Sequence, residues 1–340
     1  IDEHPDQRIF LLSEMIHNPF VNEDLLARGV KFLMDTRGNR LIPFSELTAD
    51  DIVLIPAFGT TLPIEAELKA IGLHLERYNT TCPFVEKVWN RSEQIAEKGY
   101  TVIVHGKHSH EETRATFSHS AAHTPTLVVQ DMKEAEILSA FILGEGTPDS
   151  FEELFGERSS LGFNPARDLS RIGVVNQTTM LASDTQAIAD HLKAAMLQKY
   201  GNADLPDHFA DTRDTLCYAT NDNQSAAMGL LEQPADIALV VGGRNSSNTS
   251  HLVELCEHTL PTFFVRSEED ITSSDEIIHY DWREKVQRRT SGWLPKGRPA
   301  RILVTSGASC PDAIVENVIR KAVSFFPGAA TMESMSDRWA

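Results

Sequence analysis

At 340 residues the chain has room for two or three compact domains, each able to bury its own core. Apolar residues at 41% and charged residues at 24% sit near the averages of folded soluble proteins, which argues against disordered and fibrous classes. The formal charge of −18, with no segregated basic patch, argues against nucleic acid and anionic membrane as partners. Small anionic ligands stay open, because a local His, Lys or helix N-terminus overrides a distant, screened field.

The chain opens at Ile1 as a helix end followed within ten residues by a strand, with no Met and no signal-peptide core, so further residues are expected upstream. The recurring unit from there on is a short β-branched run, a polar or glycine-containing loop, then an amphipathic segment. That is the pattern of βα units on a parallel sheet. Val53 to Ile55 runs into PAFGTT, Val102 to Val104 into HGKHSHEET, and Ile172 to Val175 into NQTTM. Ile237 to Val241 runs into GGRNSSNTS, and Ile302 to Val304 into TSGASCPD. Between these units, Gly144 to Asp168 reads as an exposed insertion and Tyr280 to Pro299 as a similar excursion. Three α/β lobes, 1–81, 82–216 and 217–327, with a loose tail over 328–340, are the simplest partition. The longest apolar runs fall far short of the roughly 18 residues a membrane helix needs.

Loops that follow parallel strands lie at the carboxyl edge of the sheet, where open α/β folds bind ligands. Four cysteines, none in CxxC spacing, do not form a disulfide framework and suit a reducing compartment. Cys82, in NTTCPF, precedes a proline suited to the first helical position, which puts the thiol at a helix N-cap and favours the thiolate. Cys217, in TLCYATNDNQ, also precedes a helical pattern. Taken singly, either is as readily a small buried cap residue. Cys256 lies on the apolar stripe of SHLVELCEH and reads as core, whereas Cys310 repeats the Cys-Pro start and stays open as a ligand or oxidisable thiol. His105, His108 and His110, beside Glu111 and Glu112, fit a zinc site, a proton relay or a solvated turn, and match no standard zinc spacing. NQTTM, GGRNSSNTS and TSGAS each place hydroxyls and backbone N–H groups before a helix. Capping explains one such loop, but three after strands point to a shared anion site.

Taken in order, IHN at His17, TTCP at Cys82, HEET at His110, QTT at Thr178, CYAT at Cys217, NSSN at Ser246 and SGAS at Ser309 resemble the 4-hydroxy-3-methylbut-2-enyl diphosphate reductase (LytB) family over nearly the whole chain. The resemblance implies a pseudo-threefold cloverleaf of three similar α/β lobes around a central 4Fe-4S cluster held by three cysteines, two of them matching Cys82 and Cys217. It implies diphosphate binding by His17, His110, Ser246, Ser247, Asn248 and Ser309. It also implies proton donation by Glu112 and orientation of the substrate alcohol by Thr178. The implied activity is reductive dehydroxylation to isopentenyl and dimethylallyl diphosphate, the last step of the methylerythritol phosphate route. Its electrons would come from a ferredoxin or flavodoxin, in keeping with the lack of a GxGxxG nicotinamide fingerprint. Burial beside an anionic diphosphate is expected to keep Glu112 protonated.

Two departures stand out. Phe58 in PAFGTT occupies a place where many bacterial members carry a diphosphate-binding histidine, and the loop forms resemble the cyanobacterial and plant subgroup. The expected setting is the cytoplasm of a bacterium or a plastid stroma. The family's first cluster cysteine, in a GFC motif upstream of IHN, has no counterpart here, and truncation is expected rather than substitution by Cys310. The competing readings are an α/β protein that binds a phosphorylated ligand without redox chemistry, and another three-cysteine iron-sulfur dehydratase.

Overall fold

A computed structural model describes residues 1, 4–210 and 216–326. Short runs of β-branched and aliphatic residues pair in parallel, and helices return the chain from the end of one strand to the start of the next. The chain divides into two compact units: Ile1–Ile16 with Phe20–Cys217, and His17–Pro19 with the chain from Tyr218.

The first unit holds two sheets. β1 (Ile9–Leu11), α1 (Pro19–Ala27), β2 (Lys31–Phe32), β3 (Ile52–Leu54) and α2 (Leu62–Ala70) build a three-stranded sheet in the order β2-β1-β3. Its core is Phe10, Leu12, Leu33, Phe44 and Leu68. The second sheet follows from α3 (Pro83–Glu97), β4 (Thr101–His105), α4 (Glu111–Ala121), β5 (Thr126–Val129), α5 (Met132–Leu143), α6 (Pro148–Phe155), α7 (Pro165–Asp168), β6 (Ile172–Asn176), α8 (Ala182–His208) and β7 (Phe209–Ala210). Its order is β5-β4-β6-β7. Every residue of β4 and β6 is buried, as expected for central parallel strands covered on both faces. His105 stands opposite Asn176 in register, so the loops that leave these two strands begin side by side.

The second unit contains α9 (Tyr218–Leu231), β8 (Ile237–Val241), α10 (Ser247–Glu257), β9 (Thr262–Val265), β10 (Glu276–Asp281), β11 (Val286–Ser291), β12 (Ile302–Ser306) and α11 (Asp312–Val323). Its parallel sheet runs β12-β8-β9, with Val241 opposite Ser306. The described residues therefore carry three parallel sheets with helices, as the βα pattern requires, and each of the five expected strands forms within a residue or two of its expected bounds.

Two segments differ from their reading in sequence. The 144–168 stretch, expected to be an exposed insertion, carries α6 and α7 and buries Phe151 and Phe155 in the core of the second sheet. Burial of each phenylalanine contributes about 2 kcal/mol, so this stretch is part of the lobe. The Tyr280 to Pro299 excursion is half hairpin: β10 and β11 pair antiparallel, and Trp293 and Leu294 then tuck into the core of the third sheet. Gly, Pro, Ser and acidic residues hid the first, because turn residues mark the bends of a segment and not its buried aromatics, and clustered basic residues hid the second. The expected tail, 328–340, lies outside the described residues. Among the described residues no helix is long and apolar enough to cross a membrane.

Candidate active site

In the first unit the chemistry gathers at the carboxyl ends of β3, β4 and β6. His110 caps the N-terminus of α4, and its Nδ1 accepts a hydrogen bond from the Glu112 backbone N–H at 3.2 Å. A ring that accepts at Nδ1 carries its proton on Nε2, so His110 is set as a donor. Glu112 is almost wholly buried, at 1% exposure, and its Oε1 accepts from the Thr178 backbone N–H. Thr178 in turn offers its carbonyl oxygen to the Cys217 N–H at 3.4 Å. Glu112, Thr178 and Cys217 thus form one chain of backbone-anchored contacts.

Gln177, with no exposure, fastens the two loops beneath them. Its Oε1 accepts from the Lys107 N–H at 3.2 Å and the Thr113 hydroxyl at 3.0 Å, and its own N–H donates to the His105 carbonyl at 2.8 Å. Cys82 is the N-cap of α3, with Pro83 at the first helical position and no side-chain cap bond, so the half-buried thiol is not spent on the helix. Its N–H donates to the Ala57 carbonyl at 2.9 Å, and the next residue, Phe58, lays its ring edge-on to His110 at 5.7 Å. Where a second imidazole was absent from the sequence, an aromatic wall for His110 stands instead.

The second unit brings together the remaining expected residues. Ser246 caps α10, its hydroxyl accepting from the Thr249 N–H at 3.2 Å. Ser247 and Asn248 begin the helix. The Ser247 hydroxyl and both amide atoms of Asn248 are buried with no hydrogen-bond partner among the described residues. Buried polar atoms of this kind cost about 1–3 kcal/mol each if they stay unmatched, which marks a place prepared for a polar ligand. They lie at the positive end of the α10 dipole, where an anion is favoured. The IHN segment reaches the same region: Asn18 Nδ2 donates to the Ser309 carbonyl at 2.7 Å, and a Cβ on Gly243 would lie 2.3 Å from the His17 carbonyl oxygen. The Gly-Gly pair after β8 is therefore a seat for the His17 backbone as well as a turn.

Other candidates fall away. His105 is buried with its Nδ1 on the Thr185 hydroxyl at 2.8 Å, and His110 Nδ1 is taken by the helix cap. Among the described residues no three His, Cys, Asp or Glu side chains stand together as metal ligands. Cys256 is core, as expected, and burial followed by Glu257 pushes its thiol up to about 11. Cys310 packs against the core of the third sheet, and burial followed by Asp312 raises its thiol to about 11 as well. A thiol so held is a poor source of free thiolate.

Several supporting residues carried no signal in the sequence. Gln177 looked like one more loop residue, and Asn18 like a flank of His17. Gly242 and Gly307, whose added Cβ atoms would meet the Thr249 hydroxyl at 2.5 and 2.0 Å, were legible only as turn formers. As donors for an iron-sulfur cluster, Cys82 and Cys217 fit in kind: both are free, partly accessible thiols at helix starts, the residue type that would hold such a cluster.

Known proteins resemble this chain over most of its length. The 4-hydroxy-3-methylbut-2-enyl diphosphate reductase of a Synechococcus strain is 42% identical over 318 residues, covering 93% of this chain and 77% of the relative. Those of Prochlorococcus marinus and Crocosphaera subtropica are 41% and 40% identical, with 94% and 93% of this chain and 77% of each relative covered. Two solved structures share the fold. One, described as (E)-4-hydroxy-3-methyl-but-2-enyl diphosphate reductase, the terminal enzyme of the non-mevalonate pathway, superposes with a TM-score of 0.53 at 21% identity, over 95% of this chain and 90% of that one. The other, the E-1-hydroxy-2-methyl-but-2-enyl-4-diphosphate reductase of Plasmodium falciparum, gives 0.65 at 19% identity, over 98% and 90%. The family model described as LytB protein matches residues 1–322, and the chain belongs to that family.

Proposed function

We propose that this chain is a 4-hydroxy-3-methylbut-2-enyl diphosphate reductase. It takes the allylic hydroxyl from (E)-4-hydroxy-3-methylbut-2-enyl diphosphate with two electrons and two protons, releasing water and isopentenyl or dimethylallyl diphosphate as the last step of the methylerythritol phosphate route. Beyond family membership, the observation that carries this reading is the buried Glu112 gripped by the Thr178 N–H beside the His110 cap.

Hydroxide is a poor leaving group, so the hydroxyl must be protonated as its bond to carbon breaks. Glu112 is the acid. The Thr178 N–H binds Oε1, so the proton to be donated is one carried on Oε2. The Thr178 hydroxyl orients the substrate alcohol toward that acid, and Gln177 keeps both loops in place. Burial of Glu112 excludes the water that would otherwise compete for its proton. His17, Ser246, Ser247, Asn248 and Ser309 are the diphosphate-binding residues, together with the Nε2–H of His110. A 4Fe-4S cluster held in part by Cys82 and Cys217 would supply single electrons and a Lewis-acidic iron for the leaving oxygen. A ferredoxin or flavodoxin delivers the electrons, and three α/β lobes with the bounds 1–81, 82–216 and 217–327 carry the site. The setting is the cytoplasm of a bacterium or a plastid stroma.

The test uses the full natural chain purified without oxygen. It should be brown, carry about four irons, and turn the substrate over with a reduced one-electron donor. Glu112→Gln should still bind substrate but lose on the order of 10²- to 10⁴-fold in rate. Colourless protein after anaerobic reconstitution, or an unchanged rate in Glu112→Gln, overturns the reading.

A further inference from the structure

The second unit holds a buried imidazole that the mechanism above does not use. His251 lies in the second turn of α10 at 6% exposure. Its Nδ1 meets Glu254 Oε2 at 3.3 Å, while Nε2 is buried with no hydrogen-bond partner among the described residues. Glu254 is held below the usual carboxylate range, first by this hydrogen bond. An ionised carboxylate can only accept, so the Nδ1 atom of His251 carries a proton and the ring is fixed in orientation, as a carboxylate fixes the imidazole of a catalytic or metal-bound histidine.

Nε2 then points wherever the helix sends it. Residues four apart share a helix face, and side chains lean toward the N-terminus, so a residue covers the turn before its own. For His251 that turn begins at Ser247, whose hydroxyl is also buried without a partner among the described residues. Two orphaned polar groups, on one face and one turn apart, stand at the helix end that carries the anion-binding residues. Burying an imidazole edge in this way costs stability, and a core position would have been served as well by leucine.

We infer that His251 is a positioning residue for the diphosphate site, acting through Ser247. With substrate bound, the ring acts in its doubly protonated form, Nδ1–H on Glu254 and Nε2–H on a lone pair of Ser247 Oγ, so the one hydroxyl proton of Ser247 is directed to a phosphate oxygen. Glu254 holds the ring for that purpose. This inference rests on the assignment of Ser247 to the diphosphate, and the experiment separates the two.

The test is made on the full-length, cluster-loaded protein, with steady-state kinetics on the diphosphate substrate and inorganic pyrophosphate binding by calorimetry. His251→Asn keeps an amide near Nδ1 for Glu254 and removes the group at Nε2, whereas His251→Gln places an amide nitrogen near Nε2. His251→Asn should raise KM and the pyrophosphate Kd by about tenfold, the loss of one buried hydrogen bond, with kcat within about twofold. His251→Gln should recover most of that loss. In a Ser247→Ala background the same His251→Asn change should add less than about twofold, because the group it acts through is gone. Unchanged affinity in His251→Asn overturns the inference, and so does an equal further loss in the Ser247→Ala background, which would be a general structural effect. If His251→Asn does not fold, Glu254→Ala, at a side chain 30% exposed, should give a weaker loss that also vanishes with Ser247→Ala. Its absence is equally fatal. Normal pyrophosphate affinity in Ser247→Ala alone would instead remove Ser247 from the diphosphate site.

Discussion

Replacement of Gly307 by alanine should shift the start of α10, and the structure sets the size of the effect. Gly307 follows β12 and Gly242 follows β8, and the two strands are neighbours, with Ser306 opposite Val241. The Thr249 side chain sits against both glycines. A Cβ on Gly307 would lie 2.0 Å from Thr249 Oγ1 and 3.2 Å from Thr249 Cβ. The first distance falls about 1.4 Å short of ordinary contact at 3.4 Å, whereas the second needs only a few tenths. Thr249 has no exposure and cannot swing into solvent, so the helix start or the strand end must give way. Overpacking of this kind costs about 1–3 kcal/mol.

Thermal unfolding followed by circular dichroism should therefore show Gly307→Ala lowered by several degrees, and pyrophosphate binding should weaken as Ser246 to Asn248 move with the helix. The decisive comparison is the double variant with Thr249→Ala. That change deletes the oxygen in the way, and because Thr249 Oγ1 is buried without a partner among the described residues, its removal alone should cost less than about 1 kcal/mol. The double variant should regain most of the lost stability and affinity. A Gly307→Ala protein as stable as its parent, or a double variant no better than Gly307→Ala, refutes the packing argument.

Cys82→Ser and Cys217→Ser should each lose most of the iron and the brown colour of the full-length protein while the fold, by circular dichroism, persists. Cys310→Ala should keep the full iron content, because a thiol pushed up to about 11 by burial and Asp312 supplies almost no thiolate near neutrality. By the same shift, alkylation of Cys310 should accelerate about tenfold per pH unit until near pH 11. Its folded value exceeds the ordinary 9.0, so the contribution to stability is complete below pH 9 and is lost as the pH rises toward 11, which a denaturation series over that range can read. Phe58→His should lower the pyrophosphate Kd by about three- to tenfold by adding a donor beside His110, and no change in Kd would show that the Phe58 ring lies outside ligand reach.

Much of the fold was legible because parallel sheets advertise themselves: each of β3, β4, β6, β8 and β12 is a continuous β-branched run followed by a polar loop. The 144–168 stretch was misread for a physical reason, since its helices are short, they open on Pro148 and Pro165 behind the N-caps Thr147 and Asn164, and its burial rests on Phe151 and Phe155, which no periodic pattern announces. Reactive residues were legible as types in loops. What holds them was not. Gln177 joins two loops separated by about seventy positions in the chain, and the His17 segment belongs with the unit that begins at Tyr218, through contacts that only a folded backbone creates. His251 was passed over because it shares α10 with the apolar stripe that also buries Cys256.

Cysteine identity by itself decided little. Cys82 and Cys310 stand in the same Cys-Pro setting before a helix and both are partly exposed, yet Cys310 packs against the core of the third sheet, where burial and then Asp312 raise its thiol, whereas Cys82 is an N-cap without a cap bond. Thiolate chemistry follows the surroundings of the sulfur. The same rule applies to the three histidines of HGKHSHEET. His105 Nδ1 pairs with the Thr185 hydroxyl, burial and then Arg158 hold His108 below the ordinary imidazole range, and His110 is set as a donor by one backbone N–H. That N–H belongs to Glu112, so the helix turn that aims the histidine also places the acid. Insertion of one residue between His110 and Glu112 would separate the two functions, which ties the spacing of HEET to the chemistry more tightly than the identity of either residue alone.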